Sequence, residues 1–451
     1  MSMSTRRGFL KRLGLGAAGL ATGCLARAGT RTAEADDADG RKPNILLIMA
    51  DDVGREVLGA CGGTSYETPN LDRLAAGGTR FTHAYACPVC APTRVKIMTG
   101  RYGFRTTQQW GHIPPDERTF GHVLAAAGYA TAIAGKWQMC LLKKNPDHCR
   151  EMGFQHSCVF GWHEGPRYYG PYLYENGKPH RYPDDVYGPD VYVDFLVDFM
   201  KASRDRPFLA YYSMALCHAI ADDFWPPPPK PPGRDRYRSY ADCVAQMDEN
   251  VGRLVQALED LGLRDNTLIL FTGDNGTTSN FIYDAKKVNG KRKYLKEAVR
   301  SKWHGKTVRG GKGSMGDMGT RVPLIANQPG RVPAGKVCDD LVDFSDVLPT
   351  LADLAGAAVP QDRPIDGVSF APQLFGKKGQ PREWAYNQWR GKAWVRTHRW
   401  KLYRDGRLFD MDADPREKHP VKPGEGSDEA DAARRRLRAV LARLRPDAGT
   451  G

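Results

Sequence analysis

At 451 residues, with 41% hydrophobic and 26% charged composition, the chain can bury a large core and is neither a disordered nor a fibrous sequence. Its length suits one large domain with a smaller one. The formal charge of +14 favours acidic partners without naming them, and Arg6, Arg7, Lys11, Arg12 and Arg27 contribute to it from residues 1–28, which hold no acid.

Ser4-Thr5-Arg6-Arg7-Gly8-Phe9-Leu10-Lys11, followed by the Gly/Ala/Leu run 13–20, has the form of a twin-arginine export signal over residues 1–28, with Ala26-Arg27-Ala28 as a cleavage site. This implies the twin-arginine export machinery as a partner and a periplasmic or extracellular destination. Ala21-Thr22-Gly23-Cys24 is a poor lipoprotein box, which leaves a lipid anchor at Cys24 as the lesser alternative. The run is too short and too rich in glycine to span a membrane, and no later segment is long enough to do so. Residues 29–42 are small, charged and pattern-free, as in a linker.

Asn44–Ala50 is a continuous apolar run of strand length, expected to be buried on both faces of a parallel sheet. It ends in Asp51-Asp52, at the carboxyl edge where α/β sheets hold ligands. A turn cap would need only one acid, so the adjacent pair offers metal ligands as well. Thr68–Gly78 predicts a short helix, with Pro69 in its first turn and glycines at its end. Phe81–Tyr85 predicts a strand leading to Cys90-Ala91-Pro92-Thr93-Arg94. Proline just inside a helix start fixes φ, and the free N–H groups of that first turn would face an anion beside Cys90. Arg94, one turn on, is expected to point its guanidinium back at the same spot. Cys87-Pro88-Val89-Cys90 is also a C-x-x-C, which could be a redox pair or, with His83, half a zinc site; no second pair follows at zinc spacing.

Thr119–Ala127 predicts a helix and Tyr129–Ala134 a strand entering Gly135-Lys136-Trp137-Gln138. Phe208–Met214 predicts a further core strand, leading to Cys217-His218. The proline-rich segment 225–232 suits a stiff loop. From Tyr240 a long helix carries Val244, Met247, Val251, Leu254, Leu258 and Leu261 at core spacing. Asn266–Thr272 predicts a strand ending at Asp274-Asn275, again offering oxygen ligands at the sheet edge. Ten cations between 286 and 309 face only Asp284 and Glu297, as in a solvated loop or a basic rim. Gly310-Gly311-Lys312 and Arg321-Val322-Pro323 follow. The repeated β and α patterning through Ala355 predicts an α/β fold with a doubly wound, mostly parallel sheet. Past Phe375, four short strands predict a small antiparallel sheet, and a last helix bears Leu437, Val440, Leu441 and Leu444 on one face with Arg434–Arg436 on a solvated one. The expected division is a catalytic domain over 43–375, a C-terminal subdomain over 376–446 and a tail over 447–451.

The Cys90–Arg94 pentapeptide, running on into Val95–Arg101, resembles the C-x-P-x-R signature of the type I sulfatases, whose cysteine is oxidised to formylglycine. The same order of landmarks recurs over roughly residues 43–420: paired Asp, T-P-N-L-D, G-K-W, a His after a core strand, D-N-G, G-G-K and R-V-P. The resemblance implies an alkaline phosphatase-like fold, a sulfuric ester hydrolase, a formylglycine-generating maturation enzyme as partner, and a hydrated aldehyde as nucleophile. It implies Asp51, Asp52, Asp274, Asn275 and the modified Cys90 as ligands of Ca²⁺, with Mg²⁺ possible; hard oxygens favour such cations over zinc. Arg94 would hold the formylglycine, Lys136 and Lys312 would bind sulfate oxygens, and His218 would protonate the leaving alcohol. Gln138 stands, next to the substrate, where the family usually has His, which puts the shedding of sulfate in doubt. Asp317 and Thr93 replace the usual Glu and Ser. If Cys24 leaves with the signal and Cys90 is converted, eight of the ten cysteines remain, an even number that permits complete disulfide pairing after export. The expected substrate is a sulfated small molecule or glycan. A phosphonate or phosphodiester hydrolase and a non-catalytic metal-binding relative are the alternatives; no nucleic-acid module accompanies the basic stretch.

Overall fold

The computed structural model describes residues 41–106, 112–219 and 238–444. The expected export signal, Cys24, the linker up to residue 40, the proline-rich segment and the tail lie outside them. Among the described residues, ten strands form one sheet: β1 (Asn44–Ala50), β2 (Thr79–Tyr85), β3 (Ala130–Lys136), β4 (His156–Phe160), β5 (Tyr172–Glu175), β6 (Lys178–Arg181), β7 (Phe208–Ser213), β8 (Thr267–Gly273), and two later ones. Before those come two basic hairpins, β9 (Asn280–Val288) with β10 (Lys291–Ala298) and β11 (Arg300–Trp303) with β12 (Lys306–Arg309). The sheet is completed by β13 (Arg321–Asn327) and β14 (Lys336–Asp343), in the order β14-β2-β13-β8-β1-β7-β3-β4-β5-β6.

The centre β8-β1-β7-β3-β4 is parallel, as the unbroken apolar runs predict, whereas β13 lies antiparallel between β2 and β8. The helices are α1 (Pro69–Ala76), α2 (Cys90–Thr99), α3 (Phe120–Ala126), α4 (His148–Glu151), α5 (Gly188–Ala202), α6 (Tyr240–Asp260), α7 (Asp317–Thr320), α8 (Val347–Leu354), α9 (Ala371–Leu374) and α10 (Asp428–Arg443). Successive residues of β1 serve opposite faces. Leu46, Ile48 and Ala50 pack with α1, α5 and α6, while Ile45, Leu47 and Met49 pack with α2, α3 and α8. No helix among the described residues is long and apolar enough to cross a membrane.

The C-terminal strands form the expected sheet as β15 (Ala385–Trp389), β16 (Lys392–Arg396), β17 (Trp400–Tyr403) and β18 (Leu408–Asp410), with α10 packed against it. Three expectations are corrected. The basic stretch 286–309 is built of hairpins rather than an open loop. Arg434 is buried rather than solvated, because its guanidinium donates to the carbonyls of Gly406 and Val421, the first at 2.8 Å. Cys61, Cys87, Cys90, Cys140, Cys149, Cys158, Cys217 and Cys338 are buried thiols, so the even parity of the cysteines does not translate into pairs.

Candidate active site

Four neighbouring strands bring the site together at their carboxyl ends. β1 ends at Asp51-Asp52, β8 at Asp274-Asn275, β3 at Lys136, and β7 leads to His218. Asp52 has φ 60, a left-handed conformation that aspartate tolerates, and its N–H donates to Asp274 Oδ1 at 3.2 Å. Gly135 must be glycine: its φ is +99, and a Cβ there would lie 2.1 Å from the Ser213 carbonyl oxygen.

Cys90 is the first residue of α2, and its N-cap Val89 supplies no side-chain cap, so the first-turn N–H groups face the site without a local acceptor. One oxygen each of Asp51 and Asp274 and the Cys90 sulfur lie within 4.8 Å of one another, as do atoms of Asp51, Asp52 and His218. Lys136 Nζ bonds Asp51 Oδ2, while Lys312 Nζ lies 2.6 and 2.7 Å from the two oxygens of Asp52. Arg94 differs from its expected aim. Its guanidinium grips Asp274 Oδ2 at 3.1 and 2.7 Å, stands 3.5 Å from Asp51, and donates to Ser213, so it organises the carboxylates rather than bonding Cys90. Gln138 is buried against Cys90, with its Oε1 3.8 Å from the thiol sulfur. The C-x-x-C alternatives find no support, since Cys87 and Cys90 are not bonded and His83 contacts Tyr85, Arg321 and His398.

Burial would raise the Asp51 carboxyl, but Lys136, His218, Arg94 and Lys312 outweigh it and hold it below the usual range. Asp274 is pushed up to about 6 by burial and by the Asp51 charge, against the pull of Arg94. Burial pushes the Cys90 thiol up, leaving it a poor nucleophile as a plain cysteine. Burial, then Lys312 and, against the pull of Asp51, Lys136 hold His218 well below its ordinary value, so the ring is neutral.

Two buried oxygens, Asp51 Oδ1 and Asn275 Oδ1, have no hydrogen-bond partner. Such oxygens, on adjacent strand ends beside Asp52 and Asp274, fit a hard divalent cation, which would satisfy both.

Several site supports carried no sequence signal. Thr277 takes the Gly54 N–H on its hydroxyl and the Lys312 N–H on its carbonyl, and Gly313 N–H bonds Pro88 O at 2.8 Å, strapping the lysine loop over α2. On the other side of that loop, Trp394 Nε1, Lys401 Nζ and Tyr403 OH all donate to the Met315 carbonyl, at 2.8, 2.9 and 3.3 Å. Asp317 pairs with Arg396 at 2.9 Å. These donors sit far along the chain on β16 and β17, and only the fold brings them near residue 312.

An α/β sheet that gathers carboxylates, lysines and a histidine around a helix start is suited to hydrolysing esters of oxyanions. The family model described as Sulfatase matches residues 43–357, and that described as N-sulphoglucosamine sulphohydrolase, C-terminal, matches 311–446. The chain belongs to the sulfatase family and is a sulfuric ester hydrolase. It is 33% identical over 420 residues to arylsulfatase A of Bos taurus, covering 83% of this chain and 77% of that one. It is 31% identical over 416 residues to N-acetylgalactosamine-6-sulfatase of Canis lupus familiaris, covering 81% and 74%. Among solved structures, Ps i-CgsB in complex with k-i-k-neocarrahexaose is similar, with TM-score 0.70, 28% identity, and 89% and 92% of the chains covered. The phosphonate monoester hydrolase of Agrobacterium radiobacter shares the fold at 19% identity and TM-score 0.60, with 89% and 95% covered.

Proposed function

We propose that this chain is an exported sulfatase that removes sulfate from a sulfated glycan, with Cys90 converted to formylglycine. The observation that carries this reading is the position of Cys90 at an uncapped helix start, within 4.8 Å of Asp51 and Asp274. The hydrated aldehyde supplies an oxygen nucleophile that can expel the captured sulfate, and a Ca²⁺ or Mg²⁺ ion supplies Lewis acidity. Asp51, Asp52, Asp274 and Asn275 would hold that ion together with the modified residue 90. Arg94 fixes Asp274 and Asp51. Lys136 and Lys312 exchange their carboxylate partners for sulfate oxygens and stabilise charge in the transition state. An anion between those lysines also offsets their effect on His218, allowing a ring nitrogen to hold a proton and pass it to the leaving alcohol.

Two things support a glycan. The N-acetylgalactosamine-6-sulfatase and neocarrahexaose-bound relatives are named for sulfated sugars or complexed with a saccharide. The register of β9 with β10 also sets Lys286 across from Lys293, like charges that a polyanion would relieve.

Export rests on the twin-arginine sequence, and the proposed division remains 43–375 with 376–446. Mass spectrometry of the peptide Phe81–Arg94, from chain made in a host with the maturation machinery, should show loss of sulfur and gain of a carbonyl. An unmodified thiol in fully active protein would overturn the reading. Comparing turnover of an aryl sulfate with that of an aryl phosphodiester separates it from the phosphodiesterase alternative.

A further inference from the structure

Beside the Lys312 loop lies a cleft of about 1000 Å³ that contains none of the residues assigned above to the active site. It is at the upper end of the range for small-ligand sites, about 300–1,000 Å³. One wall is the β11–β12 hairpin, with Trp303, Lys306 and Arg309; the other comes from the C-terminal sheet, with Trp389, Arg390 and Lys392. Gly313 lies on its edge, directly after Lys312.

The charge of this cleft is unbalanced. Its acids are already occupied or buried. Asp317 is paired with Arg396, Glu417 with Lys401 and the Tyr403 hydroxyl, and Glu56 is 2% exposed, with its carboxyl pushed up by burial. Two of its cations are paired as well, Arg321 with Asp317 and Arg407 with Asp405, but Lys306, Arg309, Arg390, Lys392 and Arg416 form no ion pair with a carboxylate among the described residues. Five uncompensated cations in a concave surface focus a positive potential and attract anions. Trp303 and Trp389 add indole rings among them, each with a guanidinium over one face: Arg55 lies 4.9 Å from the Trp303 ring centroid and Arg390 5.3 Å from that of Trp389. Cations for sulfate groups, beside indoles for the faces of sugar rings, match the alternating chemistry of a sulfated saccharide.

We propose that this cleft is a second binding site, which holds a further sulfated stretch of the same glycan whose ester is cut at residue 90. The assignment rests on the glycan reading given above. The chain would leave the catalytic centre past Lys312, cross Gly313, and lie between the two walls. A small aryl sulfate occupies only the centre.

The test uses the full chain carrying Cys90→Ala, so that the probe is not consumed, and measures equilibrium binding of a heparin octasaccharide by calorimetry at low salt. Arg390→Asn with Lys392→Ala removes charge from one wall, asparagine being chosen because Arg390 has φ 46. Lys306→Ala with Arg309→Ala does so from the other. Each pair should weaken binding by about tenfold, and in the Cys90 chain each should lower kcat/KM for a polysulfated substrate relative to that for an aryl sulfate by a similar factor. Unchanged affinity in both pairs overturns the cleft, as does equally tight, equally sensitive binding of a single-stranded DNA of matched charge. If the Cys90 chain releases no sulfate from any ester, the proposed function fails instead, and the binding measurement still decides the cleft.

Discussion

Gln138 is the residue at which this centre departs most from its family, and it touches the sulfur of Cys90. An amide cannot accept a proton at neutral pH as an imidazole can, so shedding of sulfate should be the slow step. Product release should then show a burst equivalent to the enzyme, followed by a slower steady rate. Gln138→His should raise that steady rate by about tenfold or more, within the range for a positioned acid or base. A linear progress curve with no change in the variant would assign the step elsewhere. The carboxylates yield a second expectation. Asp51→Ala and Asp274→Ala should each lose bound Ca²⁺ or Mg²⁺, read by elemental analysis, together with at least about a hundredfold of activity. Retention of metal in both would move the ion site. Asp51, Asp52, Asp274, Asn275 and Cys90 were legible as candidates because each follows a buried strand or opens a helix, whereas Lys312, which follows the exposed β12, was legible only from its place in the order of landmarks. The aim of Arg94 was not, since one guanidinium has several acceptors within reach and only the packed positions of Asp274, Asp51 and Ser213 choose among them.

Among elements, apolar runs marked β1, β3, β7 and β8, because strands buried on both faces tolerate little else. The edge strand β6, its neighbour β5 and the helix α5 went unread. Lys178–Arg181 is exposed throughout and carries no apolar pattern, and α5 lies in a stretch full of tyrosine and proline turns. The reversed strand β13 was equally hidden, since an apolar run such as Leu324–Ala326 does not tell a reversed strand from a parallel one. The C-terminal sheet earns its position through contacts with the lysine loop. Arg396 is 1% exposed and pairs with Asp317, which Arg321 and Lys401 also approach at 3.5 and 3.7 Å, so Arg396→Ala should leave the carboxylate only partly compensated and cost about 1–3 kcal/mol in denaturant unfolding. Tyr403→Phe removes only the single O–H shared between Met315 and Glu417, and should lower kcat/KM for an aryl sulfate by about tenfold, as losses in supporting hydrogen bonds do around other centres. Unaltered kinetics would mean that Trp394 and Lys401 hold the loop alone.

For the whole molecule, positive charge is concentrated in the stretch 286–309, which holds ten lysines and arginines. The β9–β10 and β11–β12 hairpins join the strand end that carries Asn275 to the loop that carries Lys312. For a polysulfated substrate, kcat/KM should therefore fall steeply as salt rises, because attraction is screened within about 10 Å at 0.1 M ionic strength. Lys291→Ala with Lys293→Ala should reduce capture of that substrate and spare an aryl sulfate; equal effects on both would make the hairpin a solvated surface only.

The Met315 carbonyl, with its three donors from Trp394, Lys401 and Tyr403, also sets an order in time. Synthesis runs from the amino end, so every side chain of the centre has emerged from the ribosome before the three that brace the Lys312 loop. A nascent chain therefore carries a complete inventory of catalytic groups while the loop of one of its lysines is held on one side only, by Thr277 and Pro88. Translation stopped near residue 375 would leave a protein with all the chemistry spelled out and its geometry unfinished, which makes late nonsense mutations as damaging as early ones.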